Sequence, residues 1–453
     1  MRILVIKFGG TSVRYAHTNI IEIINDISIQ WDKIVIVVSA LSQVTNMLLE
    51  TLNNALENKE YLQLIQNIKK VHLDILTDKT CIDRVNEYLD TYQEICSAVS
   101  IIKEITPKTQ DRITSYGELM SMITISNILD DNNISHKTIS SNDYLKTDNN
   151  YTNAIIDFNS TRKLVKSKLL PLIESNNIVL TTGFIGSNNK NDITTLGRGG
   201  SDYTASVIGM LLEAEEVWIM SDVNGIMTAD PNKVKTARLI ENISMLEASE
   251  LSYFGAKILH PKTIQPLIKN NIKMRVKNTM DVSNPGTLIE KENTSTNREI
   301  IALTSINNIS LITVEGRGMM GRIGIASRVF DEVSRQNVSI PFITQASSET
   351  SICFGIPNKY TGNIINGIKN ILEDEIKTSF VQNISEINDV SLITIIGANM
   401  NNTPGIAGKI FSIIGNENIN IIAISQGSSE ISISIVINSK NEERTLNILH
   451  SLI

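Results

Sequence analysis

The last third of the chain contains one sequence unit twice. The motif "SLIT" begins at Ser310 and again at Ser391, and "ITQASSETSI", which contains Gln345, recurs as "ISQGSSEISI", which contains Gln426. Both pairs have the same spacing, because 391 − 310 = 81 and 426 − 345 = 81. Two copies that align without a gap predict two similar small domains in tandem.

Each unit has the order strand, helix, strand, strand, helix. In the first copy the segments are "SLITVEG", "GIASRVFDEVSRQN", "VSIPFITQA", "SETSICFGI" and "TGNIINGIKNILED". This order resembles the ACT module, a small ferredoxin-like (βαββαβ) domain that binds amino acids at its dimer interfaces.

A further strand is needed to complete each sheet. In the first unit, "EIKTSFVQNISEI" predicts a strand that begins at Glu375. The matching position of the second unit, 375 + 81 = 456, lies beyond Ile453, so we expect "REIIALTSI" to complete the second sheet from before the first. The expected ACT domains are residues 308–387 and residues 299–307 plus 388–453.

The loop "GRGMMG" of the first unit has the glycine spacing of a dinucleotide-binding loop. In the second copy Asn399 and Asn402 replace Gly318 and Gly321, so this spacing is not a property of the repeat. A nicotinamide site also needs an acidic residue at the end of the next strand, where this chain has Gln345. We therefore interpret the loop as a turn that lets the backbone approach a small ligand.

Composition excludes several classes of function. The formal net charge of −7 argues against a nucleic-acid or membrane-surface partner, since both favour a basic face. No apolar run approaches the roughly 20 residues of a membrane span, and a cytoplasmic location is expected. Cys81, Cys96 and Cys353 are far apart, which predicts buried free thiols and neither a disulfide nor a zinc site.

The first two thirds of the chain alternate strand and helix signals. "RILVIKF" and "KIVIVVSA" are β-branched runs typical of strands buried on both faces, and "EVWIMSDV" and "IKMRVKNT" follow later. Roughly residues 60–132 are predicted to be mostly helical. We expect residues 1–295 to form one α/β domain, an αβα sandwich with a mostly parallel central sheet.

Two glycine-rich segments indicate phosphate chemistry. In "VIKFGGTSV", Gly9 and Gly10 let backbone N–H groups approach a phosphate, and Lys7 supplies a cation. The alternative is a tight turn after a strand with no ligand. The spacing is not G-x-x-x-x-G-K-S/T, so a P-loop is excluded. In "TTLGRGGSDYTA", Arg198 could hold a carboxylate with two hydrogen bonds, and Asp202 lies at a helix start. Helix capping alone would leave Arg198 unexplained.

Two further clusters are weaker signals. In "MSDVNGIMTADP", Asp222 and Asp230 could line a nucleotide pocket, although Asp-Val-Asn-Gly is also a common turn. In "SYGELMS", Glu118 lies on an otherwise apolar helix. It is either an acceptor for an ammonium group or a solvated charge, and spacing alone favours the solvated charge.

Together these motifs resemble the aspartate kinase family along essentially the whole chain and in the family's order. The matching segments are "KFGGTSV", "VVSALSQVTNMLL", "SYGELMS", "TTGFIG", "TTLGRGGSDYTA", "SDVNGIMTADP", "ELSYFGAKILHPKTI" and "KNTMDVSNPGTLI", followed by the two ACT-like units. The resemblance implies an amino-acid-kinase fold that uses ATP and Mg²⁺. The implied reaction converts the β-carboxylate of L-aspartate to 4-phospho-L-aspartate, the entry step to lysine, threonine and methionine.

The resemblance also implies roles for individual residues. Lys7 would neutralise the transferring phosphoryl group and Asp202 would orient Lys7. The implied substrate-binding residues are Ser39, Thr45, Glu118, Arg198 and Ser201. The implied nucleotide-binding residues are Lys7, Gly9, Gly10, Ser12, Ser221, Asp222, Met227, Asp230 and Lys257. No protein metal ligand is expected, because Mg²⁺ would be held mainly through the ATP phosphates.

An amino-acid effector is expected to bind the ACT-like units. The implied effector-binding residues are Met319, Gly324, Ile325, Gln345 and Gln426. Threonine-sensitive members of the family carry glutamine on the matching strands, which favours L-threonine and leaves L-lysine as the alternative. The glutamines could instead only stabilise pairing between modules. The implied assembly is a homodimer through the ACT domains, or a tetramer.

Some positions depart from the family pattern, and other functions stay open. Ser221 replaces a common threonine, Met227 a tyrosine and Asn232 an arginine, which puts nucleotide affinity in doubt. We interpret His260 as structural, with a helix boundary after it. One alternative is the kinase half of a kinase and homoserine dehydrogenase fusion, although no second strand-glycine-helix unit precedes Ile453. The other is a silent amino-acid sensor, which the intact Lys7, Arg198 and Asp202 argue against.

Overall fold

The computed structural model describes residues 1–254, 259–292, 299–345, 350–427 and 431–453, with all of their side chains except those of residues 401 and 402. The chain forms two compact units. The first comprises Met1–Ile226, Leu239–Met245 and Ile258–Asn293, and the second comprises Met227–Arg238, Leu246–Lys257 and Thr294–Ile453.

Two segments of the expected domain 1–295 thus belong to the second unit. The first of them is held there by an ion pair between Lys233 Nζ and Glu442 Oε1 at 2.6 Å and by burial of Val234 in that unit's core. In the other segment, the carboxylate of Glu250 accepts a hydrogen bond from Ser432 Oγ at 2.9 Å. The limits 1–295, 308–387 and 299–307 plus 388–453 stay predictions for the three domains.

The first unit is built on an eight-stranded sheet. The strands of this unit are β1 Ile3–Phe8, β2 Lys33–Val38, β3 Lys137–Ile139, β4 Ile178–Thr182, β5 Ile185–Ser187, β6 Ile193–Thr195, β7 Glu216–Ser221, β8 Asn242–Ser244, β9 Lys273–Asn278 and β10 Thr287–Glu290. The sheet has the order β3-β4-β2-β1-β7-β9-β10-β8, and β5 pairs with β6 outside it. Among the described strands of this sheet, only β9 and β10 are antiparallel neighbours, so the predicted mostly parallel sheet is confirmed.

Helices account for most of the rest of this unit. They are α1 Gly10–Tyr15, α2 His17–Gln30, α3 Val44–Leu56, α4 Leu62–Leu73, α5 Lys79–Ile102, α6 Pro107–Asp131, α7 Phe158–Leu164, α8 Leu170–Ser175, α9 Gly200–Leu211, α10 Met245–Tyr253, which continues into the second unit, and α11 Pro261–Ile268. The prediction that residues 60–132 are mostly helical is confirmed. Helix α6 starts where Thr106 accepts a hydrogen bond from Thr109 N and Pro107 takes the first helical position. None of the described helices is long and apolar enough to cross a membrane.

The second unit contains one six-stranded antiparallel sheet. Its strands are β11 Ala302–Glu315, β12 Phe342–Gln345, β13 Ser351–Pro357, β14 Asn383–Ile396, β15 Ala423–Gln426 and β16 Ser432–Asn438. Its helices are α12 Ile325–Arg335, α13 Thr361–Ile371, α14 Glu373–Lys377, α15 Ile406–Asn416 and α16 Glu442–His450. The sheet has the order β12-β13-β11-β14-β16-β15. The predicted order of strands and helices therefore occurs twice, once in each repeat.

The two repeats share their central strands. The first half of β11 pairs with the second half of β14, with Ala302 opposite Ile396, while the second half of β11 pairs with β13. The segment before the first repeat thus completes the sheet of the second, as the sequence predicts. The strand expected to begin at Glu375 begins at Asn383 instead. Glu375 lies in α14, where its carboxylate forms a 2.6 Å ion pair with Arg328 Nη1.

His72 is a buried histidine in the helical layer of the first unit. Its Nδ1 lies 3.1 Å from Thr124 Oγ1, and burial lowers the pKa of His72 to about 3. Well above pH 6.5 the histidine is neutral in both the folded and the unfolded chain. As the pH falls below 6.5, the unfolded chain takes up a proton that the folded chain does not, so stability is lost towards pH 3.

We therefore predict that His72→Gln makes stability less dependent on pH. Between pH 6.5 and 5 the wild type should lose about 1.7 kcal/mol of unfolding free energy more than the variant, because the slope approaches about 1.4 kcal/mol per pH unit only below pH 6.5, as the unfolded histidine becomes fully protonated. Urea unfolding followed by tryptophan fluorescence is the measurement, since the chain's two tryptophans, Trp31 and Trp218, both lie in the first unit. Equal pH dependence in the two proteins would contradict the prediction.

Candidate active site

The predicted site residues of the first unit lie where parallel strands end. Lys7 is the penultimate residue of β1 and pairs in register with Val37 of β2 and Ile219 of β7. Ser39 directly follows β2, and Ser221 is the last residue of β7. Because the carboxyl ends of parallel neighbours meet at one edge, these side chains come together there.

The Gly9–Gly10 turn leads from β1 into α1. Gly9 N donates to Met220 O at 3.0 Å, and the N–H groups of the first turn of α1 have no intrahelical acceptor. A Cβ on Gly10 would lie 2.5 Å from Ala40 O, so this position requires glycine. Ser12 is buried, with its hydroxyl 2.7 Å from Thr279 Oγ1. Its hydroxyl therefore links α1 to a neighbouring strand end, and its backbone N–H is the group that remains for a phosphate.

Lys7 and Asp202 form an ion pair. The distance between Lys7 Nζ and Asp202 Oδ1 is 2.6 Å, and both side chains are mostly buried. Asp202 lies in the first turn of α9, where the helix dipole favours a negative charge. The two charges thus fix the lysine ammonium group at the carboxyl end of β1, in front of the glycine turn.

The glycine-rich loop before α9 packs closely on its neighbours. A Cβ on Gly183 would lie 2.6 Å from Ser201 Cβ, and a Cβ on Gly199 would lie 2.5 Å from His260 Cβ. His260 is also the N-cap of α11 and accepts a hydrogen bond from Lys262 N, so the predicted helix boundary after His260 is confirmed. Arg198 is exposed at this loop, which leaves its guanidinium accessible to a ligand.

Glu118 is a deeply buried carboxylate on α6. It is 4% exposed, and Ala40 N donates to its Oε1 at 3.3 Å. Among the described residues, its Oε2 is buried with no hydrogen-bond partner. Burial raises the pKa of Glu118 to about 8, against smaller opposing effects from the Ala40 N–H and Lys7. The interpretation of Glu118 as a solvated charge is therefore wrong.

Two other predicted substrate residues, Thr45 and Ser39, lie near Glu118. Thr45 Oγ1 would lie 3.6 Å from a Cβ on Gly117, the residue before Glu118. Ser39 is half-buried, and its backbone carbonyl accepts a hydrogen bond from Ser121 Oγ at 2.6 Å. A buried carboxyl group with one unpartnered oxygen is suited to bind a cation, which would restore its ionised form.

The predicted nucleotide residues are divided between the units. Ser221 and Asp222 belong to the first unit, where Ser221 O accepts from Thr279 N at 2.8 Å and Asp222 is exposed. Met227 and Asp230 belong to the second, where Asp230 Oδ1 accepts from Asn232 N at 2.9 Å. Lys257 lies outside the described residues. The described ranges contain no group of three or more His, Cys, Asp or Glu side chains that could hold a metal ion.

The predicted effector residues all belong to the second unit. Met319 and Ile325 are buried in its core, and Gly324 is the N-cap of α12 with a φ of 95°. Gln345 and Gln426 are exposed at the ends of the two edge strands, β12 and β15. These edges approach each other, since Ser425 Oγ donates to Ile343 O at 3.3 Å.

Sequence patterns did not point to two groups that shape this site. Gly183 allows Ser201 to approach β4, and Asp111 holds the chain just before the glycine-rich loop, with Thr195 N donating to Asp111 Oδ2 at 2.9 Å. One signal for Asp111 is present in the sequence, namely an acidic residue seven positions before Glu118 on the same helix face.

Comparison with known protein families and proteins gives consistent matches. Residues 2–278 match the amino acid kinase family, and residues 312–369 and 393–452 match an ACT domain. The chain is 32% identical over 459 residues to the bifunctional aspartokinase/homoserine dehydrogenase of Buchnera aphidicola, covering 98% of this chain and 56% of that protein. It is 31% identical to aspartokinase 2, chloroplastic, of Arabidopsis thaliana, covering 99% of this chain and 83% of that protein. The chain spans about half of the length of the bifunctional relatives that it matches.

Solved structures are similar along the whole chain. Escherichia coli aspartokinase III in complex with aspartate and ADP has a TM-score of 0.83 at 27% identity, covering 100% of both chains. The same enzyme in complex with lysine and aspartate has a TM-score of 0.77 at 29% identity, covering 99% of both chains.

Proposed function

This chain belongs to the aspartokinases, phosphotransferases of the amino acid kinase family, and we propose that it transfers a phosphoryl group from ATP to the β-carboxylate of L-aspartate. The resemblance seen in the sequence motifs is thereby confirmed at the level of the family. The proposed product is 4-phospho-L-aspartate. The observation that carries the proposal is the Lys7–Asp202 ion pair at the same strand edge as the buried carboxyl group of Glu118.

The side chains supply the groups that the reaction needs. Phosphoryl transfer depends on positioning and charge neutralisation, and the aspartate carboxylate is already ionised at pH 7, so no general base is required. Lys7 neutralises charge on the transferring group. Glu118 accepts the α-ammonium group of aspartate, while Arg198 and Ser201 hold the α-carboxylate and Ser39 and Thr45 line the pocket.

The nucleotide is assigned to the glycine turn and the residues that follow β7. Gly9, Gly10 and the backbone of Ser12 face the phosphates. Ser221, Asp222, Met227, Asp230 and Lys257 complete the proposed nucleotide set. Mg²⁺, held mainly by the ATP phosphates, would neutralise part of their charge. We propose that the protein acts in the cytoplasm.

We predict that Lys7→Ala lowers aspartate-dependent ADP formation by a factor of about 10² to 10³, because a preorganised cation is lost at the transferring group. Circular dichroism and thermal unfolding should show that the fold is retained at reduced stability, because Asp202 is left without its ion-pair partner. Lys33→Ala is the matched control, since Lys33 begins the neighbouring strand β2 at the opposite edge and its Nζ bonds to Glu174 O at 3.0 Å. Near-normal turnover of folded Lys7→Ala would contradict the role of Lys7.

The second unit is proposed to regulate the kinase by binding an end-product amino acid. Gln345 and Gln426 place exposed amides at the ends of neighbouring edge strands, and Gly324 begins a helix whose first N–H groups can bind an α-carboxylate. L-Threonine is the favoured effector and L-lysine the alternative. The effector would bind one arrangement of an ACT-mediated dimer, or of a tetramer containing it, better than the other.

We predict that Gln345→Ala weakens inhibition by threonine by a factor of about 5 to 150 and leaves uninhibited turnover nearly unchanged. Inhibition curves with threonine and lysine, added separately, are the measurement. Gln336→Ala is the control, because Gln336 lies at the opposite end of α12 from Gly324. Full sensitivity to threonine in both Gln345→Ala and Gln426→Ala would show that the glutamines do not bind it, and inhibition by lysine alone would identify the alternative effector.

A further inference from the structure

Asp111 is a buried carboxylate that the proposed mechanism does not use. It is 1% exposed on α6, seven residues before Glu118, and therefore lies two helical turns away on the same face. Its Oδ1 and Oδ2 accept from Thr152 N at 3.0 and 2.9 Å. Oδ2 also accepts from Thr195 N at 2.9 Å, and Oδ1 accepts from Thr195 Oγ1 at 2.7 Å. Hydrogen-bond donors from two separate loops thus satisfy this carboxylate.

The first of these loops has a strained backbone. Thr152 has a φ of 70°, in the left-handed region that β-branched residues rarely adopt. The next residues connect this loop to the second, since Ala154 N donates to Thr195 O at 2.8 Å. A Cβ on Gly197 would also lie 2.9 Å from Asn153 Oδ1. The carboxylate of Asp111 holds this unfavourable turn against the start of the glycine-rich loop.

The contact between Asp111 and Thr195 lies at the start of the glycine-rich loop. Thr195 ends β6, and Arg198 and Asp202 follow three and seven residues later. Gly200 N donates to Gly197 O at 3.0 Å, which makes the intervening turn tight. An anchor at Thr195 therefore limits how far Arg198 and Asp202 can move from helix α6.

We propose that Asp111 is a positioning residue that sets the distance between Glu118 and the loop carrying Arg198 and Asp202. Helix α6 then positions both sides of the aspartate pocket. It carries Glu118 itself, and through Asp111 it holds the loop that carries Arg198 and Asp202. The assignment rests on the proposed function of this pocket. An asparagine at position 111 has nearly the same shape, but its amide NH2 group would face the backbone N–H groups of Thr152 and Thr195, which can only donate.

The test compares Asp111→Asn with Asp157→Asn. Asp157 is a matched control because it also accepts backbone hydrogen bonds, from Asn159 N and Ser160 N, at the start of α7. In Asp111→Asn we expect kcat/KM for aspartate to fall about 10- to 100-fold, as for a misplaced binding group, while KM for ATP stays within about twofold. Hydrogen exchange should be faster across residues 194–199 in this variant and unchanged in the control.

Two variants of Thr195, which donates to Asp111, keep the proposal testable if Asp111→Asn does not fold. Thr195→Val removes one hydrogen bond and should raise KM for aspartate, whereas Thr195→Ser keeps the hydroxyl and should restore the wild-type value. Unchanged aspartate kinetics and hydrogen exchange in Asp111→Asn and Thr195→Val would overturn the proposal, as would equal rises in KM for aspartate and ATP. A wild-type protein that does not phosphorylate aspartate would refute the proposed function instead, while hydrogen exchange would still report whether Asp111 anchors the loop.

Discussion

The ion pair between Lys7 and Asp202 is the interaction on which the arrangement of the candidate site depends. It joins the end of the central strand β1 to the first turn of α9 at 2.6 Å. Since both groups are mostly buried, loss of either one would leave an uncompensated charge. The surrounding backbone is shaped to permit the pair: Gly183 lets Ser201 approach β4, and the Gly9–Gly10 turn fits against Met220 and Ala40.

Sequence patterns predict those parts of the structure that depend on local order. The repeat of 81 positions predicts two modules with shared central strands, and the pairing of Ala302 with Ile396 agrees with this. Runs of β-branched residues predict the parallel sheet. Glycine-rich motifs indicate Lys7 and Asp202, the family resemblance adds Glu118, and the structure places all three in the first unit, with Lys7 paired to Asp202 and Glu118 bonded to Ala40 N.

Other features could not be predicted, because they depend on partners distant in the sequence. Asp111 and Thr195 are 84 positions apart, and nothing in the segment around either residue indicates the other. The burial of Glu118 comes from packing of α6 and not from its own spacing, so a solvated charge was the better interpretation of the sequence alone. The late start of β14 is one such feature, because Glu375 lies in helix α14 and pairs with Arg328 across 47 positions. The inclusion of Met227–Arg238 in the second unit likewise follows from Lys233 and Glu442.

The central claim is that the pocket beside Lys7 binds L-aspartate with its α-ammonium group on Glu118. Burial raises the pKa of Glu118 to about 8, so this carboxyl group is mostly protonated at pH 7 before the ligand binds. A bound ammonium group favours the carboxylate and should displace that proton. The most direct test is calorimetric titration of L-aspartate at pH 7 in buffers of different ionisation enthalpy. The account predicts release of about one proton per bound aspartate in the wild type and none in Glu118→Gln. Binding without proton release in the wild type, or equal release in both proteins, would contradict it.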